Sequence, residues 1–459
     1  MMRLCINVVI LVLLQMFFCL DAMADNIVFH VDKIEYSVDD NVRTMDAAPF
    51  ISEERVYVPV RYLAEALEAE VEYFSQEIQI NKNGNIIVLK VGSNKIVDNM
   101  GSRFMDVVPL VRNERSYLPA KYIAEAYGYG VMWEGKSKSV MISPSFGKKE
   151  VRGEIRQIVV GNVQELIAVE KETVAGNVTV LLKEGEYKLA KGILIAADNV
   201  TYCSLSGNRE KVILNGDFKA THVFWVQSDN VIIKDLTLGW VNNHGIQVQG
   251  ERGVDSAVFQ NLRIVNCREQ MLKGSAGKEE IYSKNCLVEN CLFEFSEGKA
   301  YQAYTGGIDV HRGKSWIVRD NIFRGIKTEG NDLTEGAVHF WSDSQDTLIE
   351  NNLIIECDRG IMLGLDNSAH YGGEIRGNKI QTVKDTGIYL ANAKGAKIYE
   401  NTVFVDANYP NAIEYRFPGT EVEIFNNITN KQIKARNLGK AFLDGNILRD
   451  IVIKEIMTN

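Results

Sequence analysis

Two registers recur together through the C-terminal two-thirds of the chain, and they constrain its fold more than any other feature. The first is an asparagine followed by a largely apolar run: Asn261, Asn290, Asn321, Asn352, Asn378, Asn401 and Asn427, in steps of 23–31 residues, with Asp235-Leu236 one step earlier. The second is a small residue followed by an aliphatic one: Ile246, Leu272, Ile308, Val338, Ile361, Ile388 and Ile413, in steps of 23–36 residues. The short runs between them alternate apolar and polar residues with period two, so they are strands and not helices. Steps of this length holding several strands each suit a parallel β-helix, in which every coil buries its apolar face against the next. The aliphatic register then lines the tube. The asparagines form an amide ladder at one corner, a structural role. Residues 163–189 read as a capping helix and first coil, closing an end that would otherwise expose unpaired strand edges. The predicted fold class is mainly β, with the helix of coils over 153–455.

The N-terminal part obeys a different rule. Segment 54–73, ERVYVPVRYLAEALEAEVEY, recurs as 114–133, ERSYLPAKYIAEAYGYGVMW. Each copy reads as a strand, a proline, a short amphipathic helix and another strand. Pro59 and Pro119 are expected in the first helical turn, where a missing N–H is harmless. A small duplicated α+β domain over 26–145 is predicted. Residues 1–24 carry Arg3, an apolar run from Leu4 to Leu20 and Ala22-Met23-Ala24, the pattern of a secretory signal cleaved after Ala24. No later apolar run reaches membrane-spanning length, so an exported chain without a membrane span is expected. Residues 146–152 read as a linker.

Both halves resemble known families. The duplicated V-P-x-R-Y/L-P-x-K-Y core resembles the copper amine oxidase N-terminal-like domain, which implies a stalk, attachment or wall-associated module and a cell-wall glycan as its partner. It carries no copper site, because His30 is the only histidine in this half. Residues 153–455 resemble the right-handed parallel β-helix proteins of the pectate-lyase superfamily.

Composition narrows the function. A formal charge of −9 argues against nucleic acid, which needs a dominant basic surface. An acidic polysaccharide stays open, since a few local cations can bind one. Beyond the signal, Cys203, Cys267, Cys286, Cys291 and Cys357 match no zinc spacing and are expected to be buried thiols, with a Cys286–Cys291 bridge left open.

Counting outward from the aliphatic column locates the chemistry. The residue after each inward aliphatic faces solvent, giving the row Gln247, Lys273, Asp309, His339, Met362, Tyr389 and Glu414. The next outward positions are Gln249, Ser275, His311, Trp341, Gly364, Ala391 and Arg416. Lys273, Asp309, His311 and His339 are therefore the candidate catalytic group, since clustered titratable side chains perturb one another and serve proton transfer. Gln247, Arg312, Trp341, Arg359, Tyr389 and Arg416 are the candidate substrate-binding residues. Arg312 or Lys273 would neutralise a uronate carboxylate, and Trp341 would stack on a sugar. Asp358-Arg359 reads as a corner ion pair beside Asp366, His370 and Arg376. Tyr301 and Tyr304 belong to a loop that walls the cleft. Each residue taken alone fits ordinary surface or packing; the cluster is the signal.

Asp309, His311 and His339 form a two-His, one-carboxylate set of a kind that holds a transition metal, but Lys273 beside them opposes a cation. No resident cofactor is expected, with calcium or a transition metal left open. The GGIDVH segment also resembles the Asp-x-His strand of the mannuronan epimerases, where Val310 here replaces their proline. The leading expectation is an exported polysaccharide lyase acting by β-elimination on a uronate-containing polymer. A mannuronan-type epimerase, a glycoside hydrolase and a non-catalytic glycan-binding surface module remain open. The row offers one aspartate and no adjacent acid, which counts against the hydrolase.

Overall fold

The structure, a computed structural model, describes residues 27–143 and 155–457 apart from positions 40, 53–54, 75, 83, 99–100, 106, 114, 128, 135–136 and 278–280. The signal segment and the linker lie outside the described residues. The chain divides into two compact units, Met1–Glu150 and Val151–Asn459, each with its own apolar core. No helix among the described residues is long and apolar enough to cross a membrane.

In the first unit the two sequence repeats pair with each other. Strands Arg55–Pro59 and Arg115–Pro119 lie antiparallel, with Tyr117 opposite Pro59 and Pro119 opposite Tyr57. Each runs into a seven-residue helix, Val60–Ala66 and Ala120–Ala126. The prolines end the strands instead of entering the first helical turn. Pro59, at φ −58° and ψ 127°, is still extended and caps its helix. Leu63, Ala64 and Ala66 face the core, where alanine lets the helix approach closely.

The second unit is a parallel β-helix built of three sheets of 16, 11 and 10 strands. Its entry is capped as the sequence predicts, with one strand more. Arg156–Val160 pairs in parallel with Val178–Leu182, and the intervening helix Val163–Ala168 buries Leu166 in the core of the tube. Asn162 accepts from the Glu165 amide at 2.9 Å, and the Glu165 carboxylate accepts from the Gly161 amide at 2.6 Å. The first bond satisfies an amide that the helix start leaves open, and the second ties down the residue before the cap.

The aliphatic register is in place throughout. Ile246, Leu272, Ile308, Val338, Ile361, Ile388 and Ile413 pair in sequence from coil to coil and are fully buried. The asparagine register needs a correction. The ladder runs from Asn321 through Asn352, Asn378, Asn401 and Asn427 to Asn446, with amide-to-amide distances of 2.9–3.0 Å. Asn261 and Asn290 stand one residue earlier, at the left-handed corner shared with Asp320, Asn351 and Asn426. In those upper coils Leu262 and Cys291 hold the ladder position, and Cys291 accepts from the Leu262 amide. The five cysteines among the described residues are buried and unpaired, so the Cys286–Cys291 bridge is absent. Burial pushes the thiols of Cys267, Cys291 and Cys357 up to about 12.

Candidate active site

The ten-stranded sheet carries the outward row in the predicted order. Gln247 lies against Lys273, Lys273 against Asp309, Asp309 against His339, and His311 against Trp341. Four short strands set these positions: Ile246–Val248, Leu272–Gly274, Ile308–His311 and Val338–Trp341. Alternation within each strand sends the aliphatics inward and these side chains outward, so the coil spacing of ~4.8 Å brings residues 36 and 30 positions apart into contact.

The groups are tightly engaged. Lys273 Nζ donates to Asp309 Oδ2 at 2.5 Å and to His311 Nε2 at 2.9 Å. Trp341 Nε1 donates to Asp309 Oδ1 at 2.7 Å, so both oxygens of the carboxylate are occupied. An ammonium can only donate, so His311 Nε2 is an acceptor and this imidazole is neutral with its proton on Nδ1. His339 Nε2 faces the Gly364 carbonyl at 3.1 Å. A carbonyl can only accept, so that nitrogen carries the proton and Nδ1 turns its lone pair toward Asp309 and Glu335, at 4.0 and 3.9 Å. The Trp341 ring stacks on His339 at 5.5 Å and leans on His311 at 4.2 Å, which fixes both imidazoles.

Burial opposes ionisation of Asp309, but the Lys273 ammonium bonded to Oδ2 outweighs it and holds its carboxyl well below the usual carboxylate range. Burial holds His339 below the usual imidazole range against the pull of Asp309 and Glu335. Asp309 is 3% exposed and His339 2%, whereas 21% of the His311 side chain is open to solvent. Of the two imidazoles, His311 is the one a substrate can touch.

The other predicted binding residues divide. Gln247 and Trp341 flank the group and are partly exposed. Arg312 takes φ +50° at the strand end and turns to the flanking loop, donating to the Gly277 carbonyl at 3.3 Å. Arg359 pairs with Asp385 at 2.8 Å, and Asp358 pairs with Lys384, so the expected Asp358-Arg359 couple does not form. Tyr389 and Arg416 pack on each other, with the guanidinium 5.1 Å from the ring centre. Leu365 and Phe417 close over Tyr389, so it is not part of an open distal subsite. His370 belongs to another sheet, where Nε2 meets Thr347 Oγ1 at 3.0 Å. Tyr301 and Tyr304 are exposed on their loop.

The structure adds residues that outward counting passes over. Glu269 and Glu335 each sit three positions before an inward aliphatic, on the turn that enters the sheet. Glu335 approaches His339, and Glu269 lies 3.5 Å from His244 Nε2. The expectation of no neighbouring acid is therefore corrected. His222 and His244, two positions before the inward Phe224 and Ile246, form an adjoining pair with rings 5.1 Å apart. Burial lowers them to about 4 and about 3.

Among the described residues no group of three His, Cys, Asp or Glu side chains could hold a metal ion. Lys273 and Trp341 take both Asp309 oxygens and the Gly364 carbonyl takes His339 Nε2, so the two-His, one-carboxylate set is not free to converge on a cation.

Residues 191–429 match the family model described as right handed beta helix region, and residues 37–142 match that of the copper amine oxidase N-terminal domain. The latter segment contains neither histidine nor cysteine, so it does not fit a copper centre. No curated protein matches the sequence. Solved structures of similar fold include an alginate lyase from Paenibacillus sp. str. FPU-7, at 12% identity and TM-score 0.45, covering 62% of this chain and 99% of that one. Pectate lyase Pel9A aligns at 14% identity and TM-score 0.38, covering 62% and 77%. The A-module of the Azotobacter vinelandii mannuronan C-5 epimerase AlgE6 aligns at 11% identity and TM-score 0.34, covering 64% and 100%.

Proposed function

Because this chain belongs to the right-handed β-helix family, whose repeated coils hold side chains in fixed columns, we propose that the column at Lys273 is the active centre of a polysaccharide lyase. Its substrate is a uronate-containing polymer, cleaved by β-elimination. The single observation that carries this reading is Lys273 Nζ placed between Asp309 Oδ2 and His311 Nε2, at 2.5 and 2.9 Å. A substrate carboxylate competes for that ammonium. When Lys273 turns to it, two consequences follow together: the carboxylate charge is neutralised, which acidifies the C5–H, and His311 Nε2 is released as a base. Nε2 takes the C5 proton, the C–H electron pair becomes the C4–C5 double bond, and the C4–O4 bond breaks. The resulting imidazolium returns the proton to the departing oxygen. Asp309, held ionised by the Lys273 ammonium, stabilises the positive charge that forms on His311. Its burial and saturation make it a positioning group.

Glu335 gives a hydrolase reading one observation in its favour, since it adds a second acid to the patch. Against this, hydrolysis needs two available carboxyl groups, and both Asp309 oxygens are engaged. The apolar N-terminal segment with its basic start supports export, and the N-terminal domain supports attachment to a wall glycan. The test is a panel of acidic polysaccharides followed by ultraviolet absorbance of the unsaturated uronate. Product from the wild type and none from Lys273→Ala or His311→Ala supports the lyase. Inversion at C5 without chain scission would assign an epimerase, reducing ends without unsaturation a hydrolase, and binding without product a glycan-binding module.

A further inference from the structure

The outward row is open on one side of the candidate centre and closed on the other. Upstream, two coils above Lys273 and so about 10 Å away, stands Trp225, partly exposed, with Leu194 46% exposed one coil further. Trp225 is held rigidly. His222 packs edge-on against it at 4.7 Å, His222 leans on His244, and His244 Nδ1 is tied to the Gln270 carbonyl at 2.8 Å. A fixed, half-open indole beside the amide of Gln247 is a platform for a sugar ring, with an apolar face for the ring and a polar group for its hydroxyls. Downstream the same row is sealed. Met362 is 1% exposed, Tyr389 8% and Glu414 0%. Leu365 and Phe417 pack over Met362 and Tyr389, Asp366 receives the Tyr389 hydroxyl, and Tyr409, Asn411 and Arg436 all donate to Glu414.

We propose that the centre works on a chain end: the polymer lies along Leu194, Trp225 and Gln247 and stops against the Met362–Tyr389 wall, so the enzyme is exo-acting. This rests on the lyase reading and adds the mode of attack to it. A strand of polymer passing through the site would have to cross the wall, where no outward side chain of the row is open to it. A chain end meets no such obstacle.

The test follows product size and viscosity together on the polymer that yields unsaturated product. Exo attack gives mono- or disaccharides from the first time points while viscosity hardly falls. Long oligosaccharides first, with a steep fall in viscosity, overturn the inference and leave the lyase reading intact. Absence of unsaturated product with every polymer overturns both. Calorimetric titration of saturated oligouronates supplies a second arm. Trp225→Ala is expected to weaken tetrasaccharide binding about tenfold and leave disaccharide binding unchanged, and equal binding of both lengths by wild type and variant overturns the upstream placement. Tyr389→Ala, which thins the wall, is expected to lengthen the earliest products; unchanged product size in a folded variant counts against the wall.

Discussion

Two columns of polar side chains climb this β-helix, overlapping in the coils of Asp309 and His339, and they are built on opposite principles. At the corner, Asn321 to Asn446 repeat one residue type, and each amide donates to the next and receives from the one before. On the ten-stranded sheet, Gln247, Lys273, Asp309 and His339 differ from coil to coil and pair by charge and proton, leaving His311 open at the edge. A uniform column saturates itself and has nothing left to offer a ligand. A heterogeneous column holds groups whose partners a substrate can exchange. On the lyase reading proposed above, repetition marks scaffold, and broken repetition marks chemistry.

The sharpest way to break that contrast is to cut each column once. His311→Ala is expected to lower kcat by about 10²–10⁴-fold while the unfolding midpoint stays near the wild-type value, because the side chain is at the open edge. Lys273→Ala is expected to lose activity to the same extent but also to destabilise by about 3–5 kcal/mol, since it strands the buried Asp309 carboxylate. Kinetics with parallel thermal unfolding read both. Full activity in His311→Ala would place the chemistry elsewhere.

Asn378→Ala is the converse cut. It removes the acceptor of the Asn352 amide nitrogen and of its backbone N–H, at 3.0 and 2.9 Å. With about 1–3 kcal/mol for each buried donor left unpaired, denaturant unfolding should register a loss of about 2–6 kcal/mol. Residual folded enzyme should keep its kcat. A kcat that falls with stability would mean the two columns are coupled.

How far the sequence revealed this contrast depends on what each position demands. The aliphatic register was legible because burial on a stacked wall accepts only a few side chains, and with it came the outward row and the Lys273–Asp309–His339 contacts. The corner was harder. It takes two consecutive residues, one left-handed and one laddered, and asparagine suits both. Asn261 and Asn290 therefore read as ladder members when they are corner residues. Glu269 and Glu335 were missed because they precede their strands, on turns whose lengths vary. Arg312 was misplaced by a single backbone angle: positive φ at a strand end is a tertiary outcome that the letter Arg disfavours. Trp341 was placed correctly, yet its indole N–H to Asp309 became evident only in three dimensions.

Acid should separate the columns next, since amides do not titrate and the histidines beside the row do. His222 and His244 are held at about 4 and about 3 by burial, against about 6.5 in an unfolded chain. Between those limits the unfolded state binds the extra proton, so stability is full above pH 6.5 and falls as pH drops toward 4 and then 3. Each histidine contributes a slope of up to about 1.4 kcal/mol per pH unit. His244→Gln should remove about one such slope from the pH dependence of unfolding, and Asn378→Ala should leave it unchanged. Asp309 acts lower on the scale. Its depressed folded value means its stabilisation is present above about pH 4 and is lost only as pH falls further.

The smallest expected effect tests how finely the row is bounded. Arg312 follows His311 directly and carries the charge a uronate seeks, so sequence alone gives it a binding role. Its guanidinium is instead turned to the Gly277 carbonyl at 3.3 Å, with Asp343 a further 3.9 Å contact. One such hydrogen bond is worth about 0.5–1.5 kcal/mol net, or up to 1.5–3 where the donor is charged, and at this length the lower range applies. Arg312→Ala should therefore loosen the loop beyond Ser275, raise KM by no more than about tenfold and leave kcat unchanged. If kcat instead collapses as it does in His311→Ala, the guanidinium reaches the substrate during turnover. The boundary between brace and active row would then lie one residue further along the strand.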